Sequence, residues 1–96
     1  MKLITKALHK KIPKTGSQPL EVNPMAYVKL FCPWGNWTWW IMEMDDDGYC
    51  FGLADGFVRE LGYFHLKDLE EVRGPGGLKI ERDLWFKPTK FKDIKD

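Results

Sequence analysis

The sequence predicts an α+β fold. Its body is a strongly curled antiparallel sheet of about five strands, largely a meander, with two short helices against it in the order α-β-β-β-β-α-β. Three observations carry that prediction. Residues 31–52, FCPWGNWTWWIMEMDDDGYCFG, hold four of the five tryptophans with Phe31, Tyr49 and Phe51. A segment of that composition suits strands and supplies much of a small core. Asp47-Gly48 and Asp55-Gly56 mark two tight turns at hairpin spacing. Side-chain periodicity is close to two across most of residues 26–86 and helical only over 1–12 and 66–72.

Taken in order, residues 1–12 form an amphipathic helix. Leu3, Ile4, Ala7 and Leu8 make its apolar face, with Lys2, Lys6, Lys10 and Lys11 opposite, and Pro13 ends it. No large aromatic anchors that face to lipid, so it is expected to dock on the sheet. Residues 15–24, TGSQPLEVNP, are a loop. Residues 26–31 (AYVKLF) read as a strand closed by Pro33, and Pro33-Trp34-Gly35-Asn36 as a turn.

Residues 37–44 are the central strand. Strict alternation sends Trp37, Trp39, Ile41 and Glu43 to one face and Thr38, Trp40, Met42 and Met44 to the other. Both faces are apolar, as in a strand covered on both sides. Residues 49–53 return antiparallel. Residues 57–64 (FVRELGYF) follow as a further strand, with Gly62 as a bulge or close approach. Residues 66–72 are a short helix with Leu66, Leu69 and Val72 inward, ended by Gly74-Pro75-Gly76-Gly77. Residues 78–86 make the last strand, and residues 87–96 are a charged tail expected to fray.

With 96 residues, 44% hydrophobic and 30% charged, the chain falls in the range of one globular domain, not a disordered segment. No apolar run approaches the roughly 18 residues of a membrane span. The opening residues lack the apolar stretch and cleavage site of a signal peptide, so a cytoplasmic location is expected. Cys32 and Cys50 share no metal-like spacing and read as buried thiols. A disulfide or a reactive thiol are the alternatives, the latter with no partner motif.

The net charge of +1 conceals an uneven distribution. Residues 1–20 carry five lysines and no acid, whereas residues 21–60 carry Lys29 and Arg59 against seven acids. A basic head could touch a polyanion that the acidic, aromatic middle would repel.

Several blocks together resemble the bacterial domain of unknown function 2958 family. They are Phe31-x-Pro33, Trp37-Thr38-Trp39, Glu43-x-Asp45, Phe51-Gly52, Glu60-Leu61-Gly62-Tyr63-Phe64, and Gly77-Leu78-x-Ile80-Glu81-Arg82-Asp83-Leu84. The resemblance runs over residues 12–86. It implies a small cytoplasmic bacterial protein, often carried on plasmids, phages and integrated elements, and it implies no activity. His65 and Asp68 stand where relatives tend to carry the Ser and Glu of a helix capping box, which predicts a weaker cap. Trp85 stands where relatives often have histidine.

The acids Glu43, Asp45, Glu60, Glu81 and Asp83 lie in or beside strands, where a carboxylate must be paired or exposed. Pairing with Arg59 or Arg82 is the plain account, and a carboxylate cluster for a hard cation is the sharper one. Asp45-Asp46-Asp47-Gly48 lacks the ligand spacing of a calcium loop and reads as a hairpin tip. With His9 and His65 the only histidines and no nucleophile elbow or phosphate loop, nothing names a reaction.

The leading expectation is a non-catalytic module without a cofactor that binds another protein through aromatic and acidic sheet surface: Trp37, Trp39, Trp40, Glu43, Asp45, Glu60, Glu81 and Arg82. One alternative is nucleic-acid binding through Lys2, Lys6, Lys10, Lys11 and Lys14. The other is a carboxylate-dependent metal enzyme.

Overall fold

A computed structural model describes residues 2–18 and 23–95. Met1 of the predicted first helix, residues 19–22 of the predicted loop and Asp96 of the predicted tail lie outside the described residues. The α+β class is as the sequence predicts. A five-stranded antiparallel sheet carries two short helices.

The first helix, α1 (Lys6–Lys11), is shorter than residues 1–12. Thr5 caps its start, the hydroxyl accepting from the Leu8 amide at 3.2 Å. Ile12 precedes Pro13, which disfavours helical backbone there, and it is extended at ψ 121°. Burial falls on the flanks of this helix: Leu3, Ile4 and Ile12 are core residues, while Ala7 is exposed.

The strands are β1 (Met25–Ala26), β2 (Val28–Phe31), β3 (Thr38–Met44), β4 (Tyr49–Asp55) and β5 (Arg59–His65). The second helix, α2 (Leu66–Glu71), follows, then β6 (Glu81–Arg82) and β7 (Thr89–Lys90). The main sheet runs β5-β4-β3-β2-β6, so β2 to β5 form the expected meander, and β1 pairs separately with β7. The predicted last strand over 78–86 shrinks to Glu81–Arg82 because Asp83 Oδ1 accepts the Trp85 amide at 2.9 Å and turns the chain.

The sheet is not strongly curled, contrary to expectation. Its apolar side chains on both faces are met by a separate layer on each side. On one face Ile41, Met44 and Cys50 pack with Leu3, Ile4, Ile12 and Leu69. On the other, Ala26, Trp40, Met42, Phe51 and Leu53 pack with Phe86, Phe91 and Ile94. A sheet covered on both faces has no need to wrap around a single core.

The described part of the predicted tail, residues 87–95, is therefore held against the sheet. The Phe91 amide donates to Pro24 O at 2.8 Å, and the Arg59 guanidinium donates to the carbonyls of Ile94 and Lys95 at 3.0 and 3.1 Å.

One irregularity sets the site. Between β3 and β4 the register passes from Ile41↔Gly52 to Glu43↔Phe51, leaving Met42 as an extra residue in a β-bulge. Glu43 consequently shares the face of Phe51 and Met42, not that of Trp37 and Ile41 as strict alternation predicts. Met44, opposite Cys50, crosses to the helix-covered face. Gly62, expected at a bulge, sits in unbroken register between β4 and β5.

Candidate functional site

The bulge turns Glu43 into an internal clasp. It is only 3% exposed and is the one buried charged side chain among the described residues. Its two oxygens accept from the backbone amides of Gly16 and Gln18 at 2.7 and 2.5 Å. The Gln18 amide nitrogen donates to the carbonyls of Met25 and Met42, and its oxygen accepts the Met25 amide at 2.9 Å. Asp45 accepts from the Thr15 amide at 3.1 Å, Asp46 from Lys14 Nζ at 2.6 Å, and the Met44 amide donates to Pro13 O. Hydrogen bonds from Thr15, through its side chain and then its backbone, hold the Asp45 carboxyl below its ordinary range. The Lys14 ammonium does the same for Asp46.

This arrangement takes two of the four predicted acids, Glu43 and Asp45, out of the expected surface. Glu43 and Asp45 bind their own chain between residues 15 and 18. Glu60 and Glu81 are exposed, on β5 and β6. Arg82 reaches back to the N-terminus, donating to Leu3 O at 2.5 Å and Lys2 O at 3.3 Å. Asp83 lies 3.8 Å from Lys29 Nζ. Among the described residues no three His, Cys, Asp or Glu side chains come together as a metal site.

The tryptophans divide between the two faces. Trp40 is 1% exposed, with Lys29 Nζ 5.7 Å and the Arg59 guanidinium 5.4 Å from its ring centre. Trp37 and Trp39 are half-buried on the opposite face and stack at 5.8 Å. Trp37 lies flat over Gly56, where a Cβ would come within 2.2 Å of the ring, and meets Phe57 edge-on at 5.6 Å.

The exposed aromatic surface lies elsewhere. Phe57 at the β4–β5 turn is 93% exposed and Trp85 is 91% exposed. Tyr63 on β5 stacks on Tyr49 at 5.3 Å with ring planes 7° apart. The predicted strand over 57–64 begins instead at Arg59, which leaves Phe57 in the turn, and no sequence signal separates Tyr63 from the core rings. The lysines also divide. Lys6, Lys10 and Lys14 line a cavity of about 530 Å³ with His9, whereas Lys2 and Lys11 are not part of its wall.

Residues 3–92 match the family model described as protein of unknown function (DUF2958). The chain belongs to this family. No curated protein and no solved structure matches it. In this DUF2958 chain the Glu60-to-Phe64 block is the body of β5, and the Ile80-to-Leu84 block supplies a core residue, β6 and the turn after it. No helix among the described residues is long and apolar enough to cross a membrane.

Proposed function

We propose that the chain is a non-catalytic protein-interaction module that accepts an extended segment of its partner along β5. One observation carries the reading. Arg59–His65, a seven-residue strand, ends the sheet and hydrogen-bonds to another described strand on one side only. An unpaired edge of that length presents a row of backbone donors and acceptors to an incoming strand. Phe57 and Val58 beside it are 93% and 62% exposed, and Tyr63 within it 60%, which adds apolar contact to the backbone pairing. The site thus moves from the Trp37–Glu43 surface expected from the sequence to the neighbouring edge. The bacterial mobile-element setting that the family resemblance implies would place the partner in host defence or element maintenance, and both proteins in the cytoplasm.

The test compares proteins co-purifying with the wild type and with Phe57→Asp/Tyr63→Asp from a bacterial host, then hydrogen exchange of the complex. Loss of specific partners from the variant and slowed exchange at residues 59–65 support the reading. The same partners on both proteins, or protection confined to other elements, would overturn it.

Nucleic-acid binding is less well supported, because Lys6, Lys10 and Lys14 converge on one concavity that Lys2 and Lys11 do not line, instead of continuing as a stripe along a phosphate backbone. The metal-enzyme reading loses Glu43 and Asp45 to the chain's own amides.

A further inference from the structure

The cavity between α1 and the outer end of β3 has a composition that neither the clasp nor the β5 edge explains. Ile12 and Met44, 4% and 1% exposed, and Pro13 give it an apolar floor. Around them stand Lys6 and Lys10, one helical turn apart on the same side of α1, together with Lys14, His9 and Asp46. Three ammonium groups face a single carboxylate, and that carboxylate already accepts from Lys14 at 2.6 Å. Lys6 and Lys10 are left to set a positive rim. His9 Nε2 is closed off from solvent without a hydrogen-bond partner, 3.7 Å from Asp46 Oδ1. A volume of about 530 Å³ falls in the range of small-molecule sites.

We infer that this cavity binds a small organic anion, a phosphate or carboxylate head on an apolar body, with the head at Lys6 and Lys10 and the body over Ile12, Pro13 and Met44. The positive rim draws the head, since lysine serves phosphates and carboxylates as a point charge. The apolar floor favours a ligand carrying more than the charge, because an inorganic ion would leave Met44 and Ile12 uncovered. Convergence is what distinguishes such a site from a polyanion track. A nucleic-acid surface spreads its lysines along a groove, whereas here Lys6, Lys10 and Lys14 meet at one open concavity of a single ligand's size.

The experiment titrates the full chain with phenyl phosphate, benzoate and inorganic phosphate separately, following methyl and amide NMR signals. Saturable shifts of the Met44 and Ile12 methyls and the His9 ring, with phenyl phosphate or benzoate, are the expected result. Which of the two binds tighter identifies the head group. Lys6→Gln/Lys10→Gln, two exposed positions, should weaken that binding by about tenfold or more with an unchanged thermal midpoint. A single Lys10→Glu should act in the same direction should the double variant fold poorly. Inorganic phosphate binding as well as phenyl phosphate would overturn the inference, as would shifts spread over Lys87, Lys90 and Lys92. So would a single-stranded oligonucleotide that binds through the same residues while phenyl phosphate and benzoate do not.

Discussion

Gly52 and Gly62 stand directly opposite each other on β4 and β5, yet only Gly52 is sterically required. A Cβ on Gly52 would lie 1.9 Å from the Trp40 carbonyl oxygen, next to the bulge at Met42. A Cβ on Gly62 would meet nothing within 4 Å. Gly52→Ala should therefore cost about 3 kcal/mol or more, the upper range for overpacking against immovable backbone. Gly62→Ala should be neutral or stabilise by a few tenths to about 1 kcal/mol through the unfolded chain. Urea unfolding of the two variants separates these outcomes, and equal effects would show that the Trp40 carbonyl does not close the space beside Gly52.

The Glu43 carboxylate is held by two backbone amides, and its partner Gln18 is held in turn by Met25 and Met42. Glu43→Gln keeps the shape but replaces one acceptor oxygen by a donor that faces another donor. It should destabilise the fold by about 1.5–3 kcal/mol, as expected for a buried hydrogen bond to a charged group. Amide exchange at Gly16 and Gln18 should rise before exchange in β3 does. Unchanged protection at those two amides would mean that residues 14–18 are held by something other than this carboxylate.

Asp45 and Asp46 fasten the same segment in a pH-dependent way. Both carboxyls titrate below the ordinary value of 3.8 in the folded chain. A depressed carboxyl contributes stability that is complete above its unfolded value and is lost as pH falls through the lowered folded value. The unfolding midpoint should thus fall on acidification below 3.8, and fall less steeply in Asp45→Asn/Asp46→Asn. Both groups sit near solvent, so added salt should flatten the difference. An identical acid slope in wild type and variant would remove these two residues from the account.

How far the sequence could be read follows from which features are local. The meander from β2 to β5 was legible because Asp47-Gly48 and Asp55-Gly56 announce their turns and the ring-rich runs alternate between them. The face taken by Glu43 was not, because a bulge shifts parity without changing composition. Gln18 looked like one more polar loop residue, since its bonds to Met25 and Met42 span a fold that no short window contains. The C-terminal residues were misread for a related reason. Phe91 and Ile94 are spaced too sparsely among charges to signal burial, yet they cover the Trp40 and Met42 face. Of the expected binding residues, the acids were visible as a group, but the uptake of Glu43 and Asp45 by the chain's own amides was not.

The start of α2 shows a local rule kept by an unusual residue. His65 occupies the cap position, and its Nδ1 accepts the Lys67 amide at 3.1 Å, the bond a serine would make. The histidine is therefore a working cap, and Asp68 in the first turn adds a favourable charge near the helix start. His65→Ala should cost about 1 kcal/mol, while His65→Ser with Asp68→Glu should recover that stability or exceed it slightly. Thermal unfolding of the three proteins decides this. If His65→Ala matched the wild type, the imidazole bond would contribute nothing.

Cys50 offers a probe of the whole sheet. It pairs with Met44 and Phe64 in the interior of β4, fully buried, and burial pushes its thiol up to about 12. Since the thiolate is the reactive form, alkylation at neutral pH requires the strand to open. Labelling of Cys50 by iodoacetamide should accordingly be slow and should follow global unfolding, accelerating with urea in proportion to the unfolded population. Gly52→Ala, two residues along the same strand, should speed it by the factor its stability loss implies, whereas Gly62→Ala should leave it unchanged or slower. Rapid labelling of the wild type in the absence of denaturant would show β4 opening locally, and the two-sided core would not be the rigid centre that the packing of Ile41, Met44 and Cys50 implies.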